Sequence, residues 1–335
     1  MFTPPKKMNQ IESSFYQSIT ELLHQARTRV LQTVNITMVH TYYEVGRRIV
    51  DEEQQGKERA EYGKHLIHHL SERLMPEFGK GFSSRNLEQM RQFYVTYSKA
   101  QTVSAEFKLS WSHYLFLMRL SDTNERQFYE IESYQNNWSL RELKRQFDSN
   151  LFHRLLLSKD KEKITTLAQK GQLIEKPEDA IKDPYILEFL GFDEHTHFSE
   201  SELEQRLIDK LEHFLLELGK GYTFVARQKR ITIDEKHFYV DLVFYNRLLK
   251  AFVLIDLKIG ELKHQDIGQM LMYVNYHDRF EKTEEENKTI GIILCRNKSN
   301  ALIELTLPEE NKQIFASQYQ MVLPSKEEFK KLLEE

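Results

Sequence analysis

Residues 251–258, AFVLIDLK, form an apolar run broken only by Asp256 and closed by Lys258. Side chains alternate along a strand, so Asp256 and Lys258 are expected on one face, on either side of Leu257. Residues 236–245 alternate as a second strand, with Tyr239, Asp241, Val243 and Tyr245 on one face and Phe238, Val240, Leu242 and Phe244 on the other. The short connection 247–250 suits a hairpin that pairs residue 246 with 251, which makes Asp241 and Asp256 cross-strand neighbours. An odd loop or a bulge would break that register. Carboxylates about 5 Å apart repel unless a cation sits between them. Oxygen ligands on a rigid sheet suit Mg2+ or Mn2+, and Lys258 adds an ammonium beside the pair.

The elements around these strands supply further candidates. A helix over 201–218 carries Leu203, Leu207, Leu211, Phe214 and Leu218 in a narrow apolar arc, widened by Ile208 and Leu215. Glu204 falls inside the arc, whereas Glu202, Glu212 and Glu217 fall towards or beyond its edges. A buried carboxylate must be paired, protonated or close to a metal. Arg227 and Gln228, on the strand that follows, read equally as substrate contacts or solvated side chains. A later helix over 263–277 buries Ile267, Leu271 and Val274, and places Gln269 and Tyr273 one turn apart on another face, where they could meet a phosphate.

This order resembles the PD-(D/E)XK nuclease superfamily: an acid on a first helix, an Asp on one strand, Asp-Leu-Lys ending the next, then Gln-x-x-x-Tyr on a helix. Within it, RQKRITIDEKHFYVDLVFYNRLLKAFVLIDLKIGELKHQDIGQMLMYVNYHD is similar to the YhcG family of nucleases, and the similarity extends over nearly the whole chain. Val240 replaces the superfamily's proline before the first Asp. The resemblance implies that Asp241 and Asp256, with the Leu257 carbonyl, hold a Mg2+ or Mn2+ ion. It implies that Glu204 ligates through water or at a second site, that Lys258 orients the attacking water or neutralises charge on the phosphate, and that Gln269 and Tyr273 position the backbone.

The front half reads differently. From residue 10 to about 152 the pattern is helical, broken at Phe78-Gly-Lys-Gly-Phe82, after which Ser83 or Ser84 can cap a new helix. Leu87, Met90, Tyr94 and Tyr97 form its expected buried stripe. Lys80, Arg85, Asn86, Gln89 and Arg91 are the candidate nucleic-acid contacts, and Gln92 also lies off the stripe. Ser139-Leu-Arg-Glu142 is a capping box. The resemblance implies that this half is a winged-helix-like, DNA-binding domain. The organisation expected is therefore a helical domain over 8–158, a polar linker over 159–183, and a mixed-sheet PD-(D/E)XK domain over 184–335.

Composition bounds the alternatives. With 335 residues, 40% hydrophobic and 29% charged, the chain is long enough for two ordinary globular domains. It has no apolar run of membrane-span length and no signal-like segment, so a cytoplasmic protein with no membrane partner is expected. The single Cys295 excludes a disulfide framework and a multi-thiolate zinc site. His65 and His69 lack the Glu of a metalloprotease helix. Net charge is −4, but residues 1–158 carry 21 Lys and Arg against 18 Asp and Glu, and the remainder 26 against 33. Phosphate neutralisation therefore falls to the front half. The expected function is Mg2+-dependent hydrolysis of DNA phosphodiester bonds, targeted by the N-terminal domain, with RNA as the other substrate. The alternative is a nucleic-acid-binding or adaptor protein with little catalysis. A homo-oligomer and a restriction or defence-system component are the further partners considered.

Overall fold

The computed structural model describes residues 10–55, 60–98, 107–157, 164–192 and 197–323. The chain divides after Arg126 into two compact units. Described residues of the first are helical: α1 (Gln10–Gln55), α2 (Ala60–Phe78), a 3-10 turn Lys80–Phe82, α3 (Ser84–Tyr97) and α4 (Trp111–Leu117). No strand that could form a wing lies among them. The break expected after Phe78 is present. Gly79 takes φ 86°, a conformation a side chain resists, and Ser83 is the N-cap of α3.

α3 packs closely against α1. A Cβ on Gly46 would lie 2.0 Å from the Met90 carbonyl oxygen, so the contact depends on a residue with no side chain. The buried residues of α3 are Leu87, Met90 and Phe93, while Tyr94 and Tyr97, expected in that stripe, are half-buried. Phe93 displaces them because Tyr43, Phe107, Trp111 and Tyr114 close around its ring at 4.9–5.7 Å between centroids. Edge-to-face and tilted ring packing of that kind favours the residue with rings on every side.

In the second unit, α5 (Thr123–Gln135), through which the division passes, leads to α6 (Leu140–Asp148), α7 (Leu151–Leu157) and α8 (Ile164–Lys170). The expected capping box opens α6, with Ser139 and Glu142 each accepting from the other's backbone N–H. Beyond lie β1 (Tyr185–Ile186), α9 (Glu200–Asp209), α10 (Leu211–Leu218), β2 (Tyr222–Ile233), β3 (Lys236–Asn246) and β4 (Ala251–Glu261). Then come α11 (His264–Phe280), β5 (Ile290–Asn297), α12 (Asn300–Thr306) and β6 (Ile314–Gln320). The sheet order is β1-β6-β5-β4-β3-β2. The β2-β3-β4 pairs are antiparallel and the β4-β5-β6-β1 pairs parallel, so the sheet is mixed.

One face of the sheet, through Leu242, Phe244, Val253 and Ile255, packs on α9 and α10; the other, through Val240, Val243 and Leu254, packs on α11. Covered on both faces, β4 must be apolar at successive positions, which explains its sequence. Gly291 on β5 lets α11 lie close, since a Cβ there would come within 2.6 Å of Met270. No described helix is long and apolar enough to cross a membrane.

The helix expected over 201–218 is two helices, broken at Lys210, whose φ of −115° and ψ of 30° leave the helical region. That break turns the second half. Glu217, placed by a continuous helix at the edge of the apolar arc, is instead fully buried. Its Oε1 lies 2.5 Å from Arg154 Nη1 and accepts from the Ile186 N–H, and its Oε2 lies 3.3 Å from Arg145 Nη1. These bonds bind α6 and α7 to α10 and β1, which is why the compact division falls before the polar stretch at 159–183. Of that stretch, 159–163 lies outside the described residues, while Leu167, Ala168, Ala180 and Ile181 are buried.

Burial alone would raise the Glu217 carboxyl, but Arg154, Lys182 and Arg145 outweigh it and hold it at about 2. A depressed carboxyl stabilises the fold above its unfolded pKa of about 4.3 and loses that contribution as pH falls towards 2. Glu217→Ala strands Arg154 without its counter-charge, and should cost about 3–5 kcal/mol in denaturant unfolding at neutral pH. The loss should shrink in acid; a loss below about 1 kcal/mol at neutral pH would contradict this role.

Candidate active site

The β3–β4 hairpin has the expected register, from Asn246 opposite Ala251 to Leu242 opposite Ile255. At Asp241 the ladder changes partner. The next backbone donor of β4, the Leu257 N–H, bonds to Asp241 Oδ2 at 2.7 Å. A side-chain carboxylate thus takes over from a strand carbonyl.

Strict alternation in β3 also fails here. Val240 and Val243 both join the cluster beneath α11, while Leu242 and Phe244 face α9 and α10. The expected face of Tyr239, Asp241, Val243 and Tyr245 is therefore not continuous through Asp241. The cause lies on β2, where the ladder pairs Arg227 with Leu242 and Lys229 with Val240, stepping over Gln228 and Asp241. Gln228 has φ 46°, the left-handed region, inside a strand. Such an irregularity re-aims side chains locally.

Asp256 is 3% exposed, and its Oδ2 lies 2.8 Å from Lys258 Nζ. This contact with the ammonium pulls the Asp256 carboxyl down, against its burial. Burial first, then the Asp241 charge, raises the Asp256 carboxyl to about 7. Burial likewise raises Asp241, against the Leu257 N–H and the Lys258 charge. Burial works against the Lys258 ammonium, but Asp256 outweighs it and raises its pKa.

Glu204 on α9 points inward as expected and is 5% exposed. Its Oε1 lies 3.0 Å from Arg227 Nε, and its Oε2 accepts from Gln228 Nε2. Gln228 Nε2 also donates to Asp241 Oδ1 at 3.0 Å, and Arg227 Nη1 donates to Gln205 Oε1 at 3.0 Å. Periodicity gave no signal of this clamp; Arg227 and Gln228, expected as substrate contacts or solvated side chains, instead bind Glu204 and Asp241.

Gln269 and Tyr273 meet one turn apart on α11, with Gln269 Nε2 donating to the Tyr273 hydroxyl at 2.6 Å. That hydroxyl donates to the Tyr239 carbonyl at 3.0 Å, which ties α11 to β3 just before Asp241. Tyr273 is fully buried, and Met270 fills the place expected for Leu271, which is 42% exposed.

In the first unit Lys80 and Arg85 are exposed, and Gln89 is half-buried. Asn86 Nδ2 donates to the Gly81 carbonyl, and Arg91 pairs with Glu53 at 2.7 Å.

Among the described residues, no three acids, histidines or cysteines already stand as a metal cage. Gln228 and Arg227 engage Glu204 instead. The donor chemistry nonetheless fits a hard divalent cation: a half-buried Asp241 and a buried Asp256 carboxyl are both raised, Asp256 in part by the Asp241 charge. Asp241, Asp256 and the Leu257 carbonyl are the groups able to hold it.

Two family models match the chain, the DUF1016 N-terminal domain over residues 18–154 and the YhcG PDDEXK nuclease domain over 178–334. The protein of Escherichia coli (strain K12) described as "Putative nuclease YhcG" is 37% identical over 339 residues, spanning 92% of this chain and 90% of that one. The chain belongs to the YhcG family. Residues 178–334 are thus a PD-(D/E)XK nuclease domain, with the family's N-terminal domain ahead of it. Among solved structures, a repair endonuclease from Pyrococcus abyssi is similar at 18% identity and TM-score 0.26, over 37% of this chain and 49% of that chain. A complex of EndoMS with double-stranded DNA is similar at 14% identity and TM-score 0.27, over 40% and 51%. The chain therefore spans about half the length of each.

In this YhcG-family domain the raised Asp256 carboxyl carries a stability signature. A carboxyl whose folded pKa lies above its unfolded value of about 3.9 contributes stability fully present below that value and lost as pH rises through about 7. Without divalent metal, the wild-type Tm should fall between about pH 4 and 7. Asp256→Asn removes the charge and should gain about 1 kcal/mol or more at pH 8, since one pKa unit is worth 1.36 kcal/mol. A variant less stable than wild type at pH 8 would show that the acid is not under strain.

Proposed function

We propose that this chain hydrolyses phosphodiester bonds of DNA in a reaction that requires Mg2+ or Mn2+. The observation that carries the reading is the meeting of Asp241, Asp256 and Lys258 at the point where the β3–β4 ladder gives way, with both carboxyls raised by burial and Asp256 raised further by the Asp241 charge. A bound divalent ion supplies Lewis-acid polarisation of the phosphate and lowers the pKa of water. Asp241, Asp256 and the Leu257 carbonyl hold it, and Glu204 stands behind Asp241 through Gln228. Lys258 keeps its proton, and its ammonium orients the water or offsets charge developing on the phosphate. Tyr273 and Gln269 hold β3 just before Asp241.

The helical unit selects the DNA in this reading. Exposed Lys80 and Arg85 at the start of α3 support it, as does the basic excess of residues 1–158. Phe15, Tyr16, Ile19, Leu22, Leu23, Val30 and Val34 on α1 are exposed and support a homo-oligomer, because apolar runs of that extent usually meet a partner. A second reading, a nucleic-acid-binding protein with little catalysis, is favoured by one observation: the acids are already engaged by Gln228, Arg227 and Lys258.

Cleavage of plasmid DNA by purified protein, with Mg2+ or with chelator, separates the two. Asp256→Ala should lose both metal binding and cleavage. Lys258→Ala should lose cleavage by about 100-fold or more while keeping metal affinity. Arg85→Ala should weaken DNA retention and leave metal binding and Tm unchanged. Wild-type cleavage that persists in chelator, or an Asp256→Ala variant that cuts at the wild-type rate, would defeat the proposal.

A further inference from the structure

Gln228 is the residue around the acids whose backbone is under strain. Left-handed φ is uncommon for a residue with a side chain and is found mainly in turns, where glycine and asparagine take it. Gln228 adopts it at φ 46° within β2, between two ladder pairs that keep one register on either side. The kink therefore serves no change of strand pairing. What it does is aim one amide: Nε2 donates to Asp241 Oδ1 at 3.0 Å and to Glu204 Oε2, from two different elements. Both facing atoms are carboxylate oxygens, so the nitrogen must be the end of the amide that points at them. Its two hydrogens serve two acids that would otherwise face each other unscreened. Arg227, the preceding residue, holds the other Glu204 oxygen, and the Leu257 N–H holds the other Asp241 oxygen. Each carboxylate is thereby fixed at both ends, and each oxygen keeps a second lone pair free.

We propose that Gln228 is a positioning residue of the metal site: it sets the Asp241 carboxylate for ion binding and couples Glu204 to it, rather than contacting nucleic acid. This rests on the metal-dependent reading above. Both hydrogens of its amide nitrogen are already used within the protein, so donation to a phosphate or base would have to break the bridge. A side chain that orients a ligating carboxylate typically changes metal affinity 10–100-fold when removed.

Gln228→Gly deletes the amide and takes left-handed backbone without strain, so the fold survives while the bridge is lost. Three readouts on the full-length chain test the assignment. The metal-free Tm should stay near the wild-type value or rise. Mn2+ affinity by calorimetry should fall about 10–100-fold. For DNA cleavage at fixed Mn2+, kcat should fall with little change in KM, the reverse of what losing a nucleic-acid contact would do. Gln228→Asn, which also tolerates this backbone but reaches one methylene less far, should weaken Mn2+ binding as well. Wild-type Mn2+ affinity in either variant overturns the assignment and leaves the nuclease reading intact. Failure of the wild-type chain itself to bind Mn2+ would overturn both.

Discussion

Two carboxylates that cannot both be comfortable share the end of a buried hairpin. Asp241 and Asp256 stand on adjacent strands packed under helices on both faces, Asp256 buried and Asp241 half-buried. Burial pushes both carboxyls up, helped at Asp256 by the Asp241 charge, which takes it to about 7, and at Asp241 by the Glu204 charge. Left alone, such a pair would open the hairpin or stay protonated. The surrounding structure instead fixes each group: the Leu257 N–H and Gln228 hold Asp241, Lys258 sits against Asp256, and Tyr273 ties α11 to the strand just before the site. Local stability is given up where a cation would restore it, a pattern common at functional sites.

The rest of the unit serves to hold that hairpin still. α9 and α10 cover one sheet face and α11 the other, and Gly291 lets α11 approach. The buried Glu217, with Arg154 and Arg145 against it, locks α6 and α7 to α10 and β1. That cluster is a poor source of net stability compared with apolar packing, but it is unforgiving of a missing member. Its effect is to make helices that precede the polar stretch at 159–183 part of the same compact unit as the sheet.

Much of this was legible in the sequence, for identifiable reasons. A doubly covered strand must be apolar throughout, so one acid in AFVLIDLK stood out, and a short connection fixed the pairing of Asn246 with Ala251. Glu204 was legible because helical periodicity placed it inside an apolar arc. What escaped notice depended on partners distant in sequence. Glu217 looked peripheral because the helix break at Lys210 leaves no periodic trace and Arg154 lies far upstream. Phe93 took the core position expected of Tyr94 because aromatic rings from other segments converge on it. The left-handed Gln228 left no pattern at all, since a strand kink that keeps its register changes neither composition nor spacing.

The central claim is that Asp241 and Asp256 form a carboxylate pair built for a divalent ion. Crystals grown with Mn2+ and measured for anomalous scattering test it most directly. The account predicts one strong anomalous peak in coordination range of the Asp241 and Asp256 carboxylates and the Leu257 carbonyl, at about 2.0–2.3 Å. Crystals that bind Mn2+ elsewhere, or not at all, with Lys258 still seated on Asp256, would contradict it.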